Sequence, residues 1–475
     1  MWEADVGDEF DVIVIGGGPA GENVAARAVR GGLTAAVVEN RLLGGECSYW
    51  ACIPSKALLR PVELAAEVAR VPGLTLGPID AGKVLARRDE AVAHYDDSGQ
   101  VDWLNGVPAT MVRGTGRLDG PRRVRVTEPD GSERTLTARH AVVLATGSTP
   151  AVPPVPGLRE AAPWTSHEVT AAASVPERLA VIGGGVVACE MAQAMHGLGA
   201  RQTTVLVRGD RLLPRMEPFA GELLAASFAD AGIDVRFHTD AVAVERPEPG
   251  GKVTVRLPDG PPVEADELLV ATGRKPATSE VGLETVGLTP GRYVEVDDSM
   301  RATGADGGWL YAVGDVNGRA LLTHMGKYQA RVCGDVIAAR AKGEPDDLPA
   351  LRDTADGQGA PQVVFTDPQL CSVGRTEQAA REAGFRVRAV EYDMGAVSGA
   401  YLLGDGYRGR AKAVVDEDRR VLLGVTFAGP GAAELLHGAT IAVTGEVPLE
   451  RLWHAVPSFP TVSEIWLRLL ETYGL

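Results

Sequence analysis

The chain is short of three things, and each shortage excludes something. Positive charge is the first: 47 lysines and arginines face 63 aspartates and glutamates, a formal net charge of -16. Proteins that hold a nucleic-acid backbone or an anionic membrane need a basic face, so neither partner is expected. Long apolar runs are the second, since none approaches the roughly 20 residues that span a bilayer. The stretch from Met1 to Asp11 is acidic and leads directly into strand-like sequence, unlike a secretory signal. A cytoplasmic protein is the expectation. Cysteine is the third: five in 475 residues are too few for a disulfide framework, and cytoplasmic thiols are normally kept reduced. Cys189, Cys333 and Cys371 stand singly among apolar or small neighbours and read as packing. Cys47 and Cys52 stand close together between two recognisable signals.

What is present is an ordinary globular composition, 45% apolar and 23% charged. The length exceeds one core and implies about two to four domains.

The first signal begins at Phe10–Ile15, a short β-branched run that ends in Gly16-Gly17-Gly18-Pro19-Ala20-Gly21. A helical, alanine-rich stretch follows to about Arg30, then a strand from Thr34 to Val38, closed by Glu39. In such a βαβ unit the first glycine permits the turn and the second lets backbone approach a pyrophosphate. The third allows close helix packing, and the acid accepts a ribose hydroxyl. The pattern recurs as a strand at Leu179–Ile182, then Gly183-Gly184-Gly185-Val186-Val187-Ala188, a helix to about Leu198 and a strand through Val207. Alanine in the third position is an accepted variant. Two such sites imply two dinucleotides with electrons passing between them; two folds that kept the glycines and bind nothing are the plain alternative.

Strands ending in Leu144-Ala145-Thr146-Gly147 and Val270-Ala271-Thr272-Gly273 bring small-residue turns near a cofactor. Between the fingerprints, Arg122 to Ala138 reads as a hairpin. Pro150–Gly157 and Pro345–Gly359 read as linkers. From Pro361 onward, strands at Ala411–Val415 and Val421–Phe427 alternate with helices at Ala432–Val443 and Ser463–Glu471, a further α/β domain.

The most specific segment is Gly44-Gly45-Glu46-Cys47-Ser48-Tyr49-Trp50-Ala51-Cys52-Ile53-Pro54-Ser55-Lys56. A helix running from about Cys47 places the two sulfurs little more than a turn apart, near enough to bridge. A thiol in its first turn feels the positive end of the helix dipole and favours thiolate. No further cysteine or histidine lies nearby in sequence to complete a metal site. A redox pair and a structural bridge both remain open on these grounds.

With these motifs the chain resembles the pyridine nucleotide–disulfide oxidoreductases, the family of dihydrolipoamide dehydrogenase, glutathione reductase and mercuric reductase. The resemblance takes in both fingerprints, Cys47-x4-Cys52 with Ile-Pro-Ser-Lys, and Glu190. Leu310-Tyr311-Ala312-Val313-Gly314-Asp315 looks like the second FAD motif, and Phe365 to Gly374 like the opening of the dimer-interface domain.

The fold implied is α/β: two Rossmann-like dinucleotide-binding domains plus a C-terminal α/β dimerisation domain. The boundaries expected are an FAD domain with the cysteine helix over 1–153, an NAD(P) domain over 154–275, a central segment completing the FAD domain over 276–350 and a dimer domain over 351–475. FAD is expected on Gly16, Gly18, Pro19, Ala20, Gly21, Glu39, Gly45, Thr146, Gly147, Gly314 and Asp315. The nicotinamide nucleotide is expected on Gly183, Gly185, Val186, Arg208 and Gly273. By the resemblance Cys52 lies against the flavin, Cys47 attacks substrate, and Lys56 with Glu190 places a positive charge near flavin N5. Glu464 belongs to the acid–base motif that a partner subunit supplies, and a homodimer follows.

Two departures from the family pattern matter. The family's His-Pro-Thr-x-Ser-Glu reads Phe459-Pro460-Thr461-Val462-Ser463-Glu464, so the general base is missing. His454 is a conceivable substitute, though it reads as an ordinary surface histidine. The C-terminal cysteine pair of mercuric reductase is missing too. Where NAD-using relatives carry an acid, this chain has Arg208, with Arg211 and Arg215 following. Arginine suits a 2′-phosphate, which makes NADPH the favoured donor over NADH; a solvated basic turn that tolerates either is the alternative. The reading is an FAD enzyme that passes electrons from NADPH through Cys47/Cys52 to a disulfide or another small-molecule acceptor. Its rivals are a flavin-only quinone, oxygen or dye reductase and a silent flavin-bearing scaffold.

Overall fold

The computed structural model describes residues 8–357 and 359–475. Residues 1–7 of the acidic N-terminal stretch and position 358 of the second linker lie outside that range. The described chain divides into two compact units.

The first unit gathers the chain up to Ile53, Asp89–Thr149 and Arg274–Asp356. Its sheet runs in the order Thr110–Arg113, Ala35–Glu39, Glu9–Ile15, Glu133–Leu144, Arg123–Thr127, Thr115–Leu118. A short strand, Leu310–Ala312, also pairs with Glu133–Leu144. Glu9–Ile15 pairs in parallel with both its neighbours, and Val12, Ile13, Val14 and Ile15 are all buried. Such continuous apolar runs are what a parallel strand covered on both faces requires. The hairpin expected from Arg122 to Ala138 is present, as antiparallel Arg123–Thr127 and Glu133–Leu144. Helices Pro19–Arg30 and Thr323–Ala341 pack side by side. Arg27 clasps Asp335 with Nε–Oδ1 at 2.6 Å and a second bond of 2.7 Å.

The second unit comprises Pro54–Arg88, Pro150–Gly273 and the chain from Gly357. A four-stranded parallel sheet has the order Asp234–Arg236, Gln202–Leu206, Arg178–Ile182, Glu267–Val270. The C-terminal segment forms a five-stranded antiparallel sheet: Gln362–Val364, Gln369–Gly374, Val421–Gly429, Arg410–Asp416, Val387–Asp393. Helices Leu436–Thr444 and Ile465–Tyr473 contribute Leu436, Ala439, Ile465 and Leu469 to the core over this sheet, which also holds Phe427 and Val425.

No helix among the described residues is long and apolar enough to cross a membrane.

Candidate active site

The first fingerprint forms a cradle in the first unit. Gly16 has φ of +104°, and a Cβ there would sit 2.4 Å from the Ala145 carbonyl oxygen, so only glycine fits. At Gly21 a Cβ would come within 2.0 Å of the Gly16 oxygen. Gly18 caps the Pro19–Arg30 helix, with Pro19 and Ala20 in its first turn. Gly45 approaches so closely that a Cβ there would lie 2.7 Å from the Gly18 Cα. Glu39 ends its strand, and its two carboxylate oxygens accept from the amides of Gly17 and Arg41, each at 2.7 Å. The carboxylate is thereby fixed while lone pairs remain for a ribose hydroxyl.

Thr146 and Gly147 follow the strand Glu133–Leu144. The Thr146 Oγ1 is buried with no hydrogen-bond partner among the described residues, a cost that a bound ligand removes. Gly314 follows Leu310–Ala312, and its amide donates to the Gln329 Oε1 at 2.9 Å. Asp315 accepts from the Ser148 hydroxyl at 2.5 Å. Burial pushes its carboxyl above the usual range, while the Ser148 bond and the Arg274 charge pull the other way. Arg274 also donates to the Ser148 oxygens, Nε to Oγ at 2.6 Å, and pairs with Glu46. The glycine cradle, the orphaned Thr146 hydroxyl and Asp315 fit an FAD.

The cysteines differ from expectation in one respect. The single helix from about Cys47 is two helices, Gly45–Tyr49 and Cys52–Arg70. Between them Trp50 leaves helical geometry, with φ of -135° and ψ of 3°. Its ring is stacked on Tyr95, with centroids 6.0 Å apart, and carries the Arg41 guanidinium at 4.2 Å. Those contacts hold Trp50 off the helical path. Cys52, rather than Cys47, is therefore the first residue of a long helix and receives the field of its N-terminus. The Cys52 sulfur lies 3.3 Å from the Thr323 hydroxyl. The adjacent Cys52 sulfur and burial push the Cys47 thiol well above its ordinary range; Thr323 and Lys327 pull it down. Of the pair, Cys52 is the thiol with a long helix's N-terminus beside it to favour a charged form. The five cysteines form no disulfide among the described residues, and Cys189, Cys333 and Cys371 are buried.

In the second unit Gly183 has φ of +131°, and a Cβ there would meet the Ala271 oxygen at 2.3 Å. Gly185 caps the helix Val186–Gly197, and Gly273 accepts from the Ala151 amide at 2.9 Å. Arg208 is exposed just past the strand Gln202–Leu206. Glu190 is buried in the helix Val186–Gly197, where it meets the Lys56 Nζ at 2.7 Å and the Phe365 amide at 2.9 Å. Phe459 is 74% exposed, and Glu464 is buried with its Oε2 unpartnered among the described residues. The Phe459–Pro460 peptide is cis.

Sequence reading missed Thr323, Ser148, Arg274 and Gln329. Ser148 and Arg274 had a local signal, each directly following an Ala-Thr-Gly turn, Ala145-Thr146-Gly147 and Ala271-Thr272-Gly273. No group of three or more His, Cys, Asp or Glu side chains among the described residues is arranged to hold a metal ion.

Comparison with known proteins decides the family. Residues 10–343 match the pyridine nucleotide-disulphide oxidoreductase profile, and 360–469 match that family's dimerisation domain. The chain belongs to the pyridine nucleotide-disulphide oxidoreductases. It is 35% identical over 474 residues to a dihydrolipoyl dehydrogenase of Chlorobaculum tepidum, covering 98% of this chain and 97% of that one. It is 35% identical over 451 residues to a mercuric reductase of Shigella flexneri, with 93% and 77% covered. Among solved structures, LpdA of Mycobacterium tuberculosis superposes with a TM-score of 0.84 at 26% identity, covering 98% of this chain and 100% of that one. RclA of Escherichia coli, at 24% identity and a TM-score of 0.84 over 98% of this chain and 99% of that one, shares the fold. Membership makes the protein an oxidoreductase that works with FAD and a nicotinamide nucleotide.

Proposed function

We propose that this oxidoreductase takes two electrons from NADPH and delivers them through the Cys47/Cys52 pair to a disulfide or another small-molecule acceptor. The observation that carries the reading is the placement of the two thiols. Cys52 opens a helix 3.3 Å from the Thr323 hydroxyl, beside a Cys47 whose proton is held tightly. That asymmetry supports a division of labour, with Cys52 as the resident thiolate and Cys47 as the thiol that exchanges with substrate. Bound FAD would supply the two-electron chemistry that joins nucleotide to disulfide.

Around it, Glu39 would hold the ribose, Asp315 the ribityl chain, and Lys56, steadied by Glu190, a positive charge beside the ring. Arg208 would receive the 2′-phosphate. The exposed apolar side chains Tyr401, Leu402, Val456 and Phe459 support a homodimer in which the C-terminal segment meets its partner. We keep the four-segment domain division on the same footing.

Phe459 favours a second reading, because it removes the base that exchange with small disulfides uses. In that reading quinones or dyes accept electrons without the cysteines. Anaerobic titration with NADPH, followed by acceptor assays on wild type, Cys47→Ser and Cys52→Ser, tests both. Loss of activity toward every acceptor in both variants supports the dithiol route; full activity in both overturns it.

A further inference from the structure

Glu46, Ser148 and Asp315 meet at the guanidinium of Arg274, and all four residues belong to the first unit. Arg274 opens the short strand Arg274–Pro276, which pairs with Ser148–Pro150. Each strand leaves an Ala-Thr-Gly turn, and two backbone bonds hold the pair in register. The Ala151 amide donates to the Gly273 oxygen at 2.9 Å, and the Ala277 amide to the Gly147 oxygen at 3.0 Å. That register delivers Arg274 onto Ser148, where Nε donates to the hydroxyl at 2.6 Å and Nη2 to the carbonyl at 2.7 Å. Nη2 also donates to the carboxylate of Glu46, which precedes Cys47 in the helix Gly45–Tyr49.

The donors and acceptors allow one direction only. A guanidinium donates and never accepts, so Ser148 Oγ is the acceptor in its bond with Arg274. The single hydroxyl proton is left for Asp315 Oδ2, 2.5 Å away. The Arg274 Nε lies 3.8 Å from the same oxygen. The contacts thus run from Glu46 through Arg274 and Ser148 to Asp315. Both contacts of Asp315 fall on Oδ2, which leaves Oδ1 to a ligand. Ser148 is buried, and the bonds it makes are stronger for the exclusion of water.

We propose that Arg274 is a positioning residue of the FAD site, anchored by Glu46 and holding Asp315 through Ser148 in the orientation that the cofactor's hydroxyls require. Its two ends reach different segments, Glu46 beside the redox cysteine and Asp315 in the second FAD motif. A residue of the cysteine helix therefore contributes to cofactor binding without touching the cofactor. Asp315 is oriented beforehand, so binding does not have to immobilise its side chain. Charge follows the same contacts. Burial raises the Asp315 carboxyl above its usual range, Ser148 and Arg274 oppose the rise, and Glu46 adds to it. Arg274 thus favours the carboxylate form of an acid that burial disfavours, and Glu46 tempers the effect.

The inference rests on FAD occupying the site at Asp315, and its test reads bound cofactor without turnover. Holoenzyme is diluted in steps between about pH 5 and 8, and released FAD is read from the recovery of flavin fluorescence. Wild type should lose FAD on acidification, as Asp315 takes up a proton. Arg274→Met should raise the apparent Kd about tenfold at pH 7 and move that acid limb to higher pH. Arg274→Lys keeps the charge, so it should recover part of the affinity and return the limb toward wild type. Glu46→Gln keeps an acceptor for Nη2 and removes a negative charge, so its limb should move to lower pH. Ser148→Ala should weaken binding, and adding it to Arg274→Met should cost nothing more, because the two act as one unit. Wild-type behaviour in Arg274→Met overturns the proposal. So does a loss equal at every pH, the mark of general loosening, and so do effects that simply add in the double variant. If Arg274→Met does not fold, Glu46→Gln decides, and a limb that stays at the wild-type pH is fatal. Failure of the FAD reading has a different signature: wild type purifies without flavin, or Asp315→Ala holds FAD as tightly as wild type.

Discussion

Lys56 and Glu190 form an ion pair of 2.7 Å in which the carboxylate is 4% exposed and the lysine 36%. The other carboxylate oxygen accepts from the Phe365 amide at 2.9 Å, and the lysine also lies over the Phe365 ring at 4.9 Å. The buried charge therefore depends on two partners. Lys56→Met strands a buried carboxylate and should cost about 3 kcal/mol of stability. Glu190→Gln keeps an acceptor for the Phe365 amide and should cost about 1 kcal/mol. Denaturant unfolding of the holoenzyme measures both, and the reverse order refutes this account.

Purified protein should be yellow, with FAD bound tightly but released on denaturation. Glu39→Ala removes the carboxylate that anchors the Gly17 and Arg41 amides at 2.7 Å, and with it the proposed ribose contact. It should weaken FAD binding by about tenfold or more, equivalent to about 1.4 kcal/mol. Fluorescence titration of the apoprotein reads this, and unchanged affinity removes Glu39 from the site.

Legibility in the sequence followed range. The glycine turns and the buried strand Glu9–Ile15 are local, since fixed spacing and steric demand write them into a few consecutive residues. The segment from Cys47 to Lys56 was equally plain as chemistry, yet not as geometry. Its helix break depends on Trp50 meeting Tyr95 and Arg41, side chains outside the motif. Thr323 reaches Cys52 across 271 positions, and Ser148 reaches Asp315 across 167. Pairings of that reach leave no periodic trace. In the C-terminal domain the strands with long apolar runs were readable, while Val387–Asp393, with alternating burial at a sheet edge, was not.

Nucleotide choice turns on Arg208. If its guanidinium holds a 2′-phosphate, kcat/KM should favour NADPH over NADH by at least about tenfold, roughly 1.4 kcal/mol. Arg208 is exposed beyond the end of its strand, so Arg208→Glu should fold normally and erase or reverse the preference. Equal use of both nucleotides by wild type refutes the assignment.

The two thiols should separate spectroscopically. Two-electron reduction should produce a long-wavelength absorption band, because Cys52, at the N-terminus of the helix Cys52–Arg70, is the thiol placed to hold negative charge. Cys52→Ser should abolish the band. Cys47→Ser should keep it, since the remaining thiol has no partner with which to form a disulfide. A band that survives Cys52→Ser and vanishes in Cys47→Ser reverses the roles.

Phe459 leads to the sharpest prediction. It occupies the base position of the family's histidine motif and is 74% exposed in the chain. A phenyl ring accepts no proton, so turnover with lipoamide or oxidised glutathione should be slow by about 10² to 10⁴, the usual worth of a positioned base. Acceptors that take electrons without thiol exchange, such as quinones and dyes, should be spared. Phe459→His restores an imidazole at the family's spacing from Glu464. That carboxylate is buried, and its Oε2 has no partner among the described residues, so it can accept an imidazole N–H. Satisfying it orients the ring and stabilises the imidazolium. The variant should therefore raise kcat/KM for small disulfides at least about tenfold while leaving quinone turnover nearly unchanged, the pattern of a group that acts on one step only. Glu464→Gln in the Phe459→His background should cancel most of the gain and have little effect in wild type. Equal gains for both acceptor classes indicate a general change in folding or dimer contact. A wild-type enzyme already fast with lipoamide leaves no deficit for the histidine to repair.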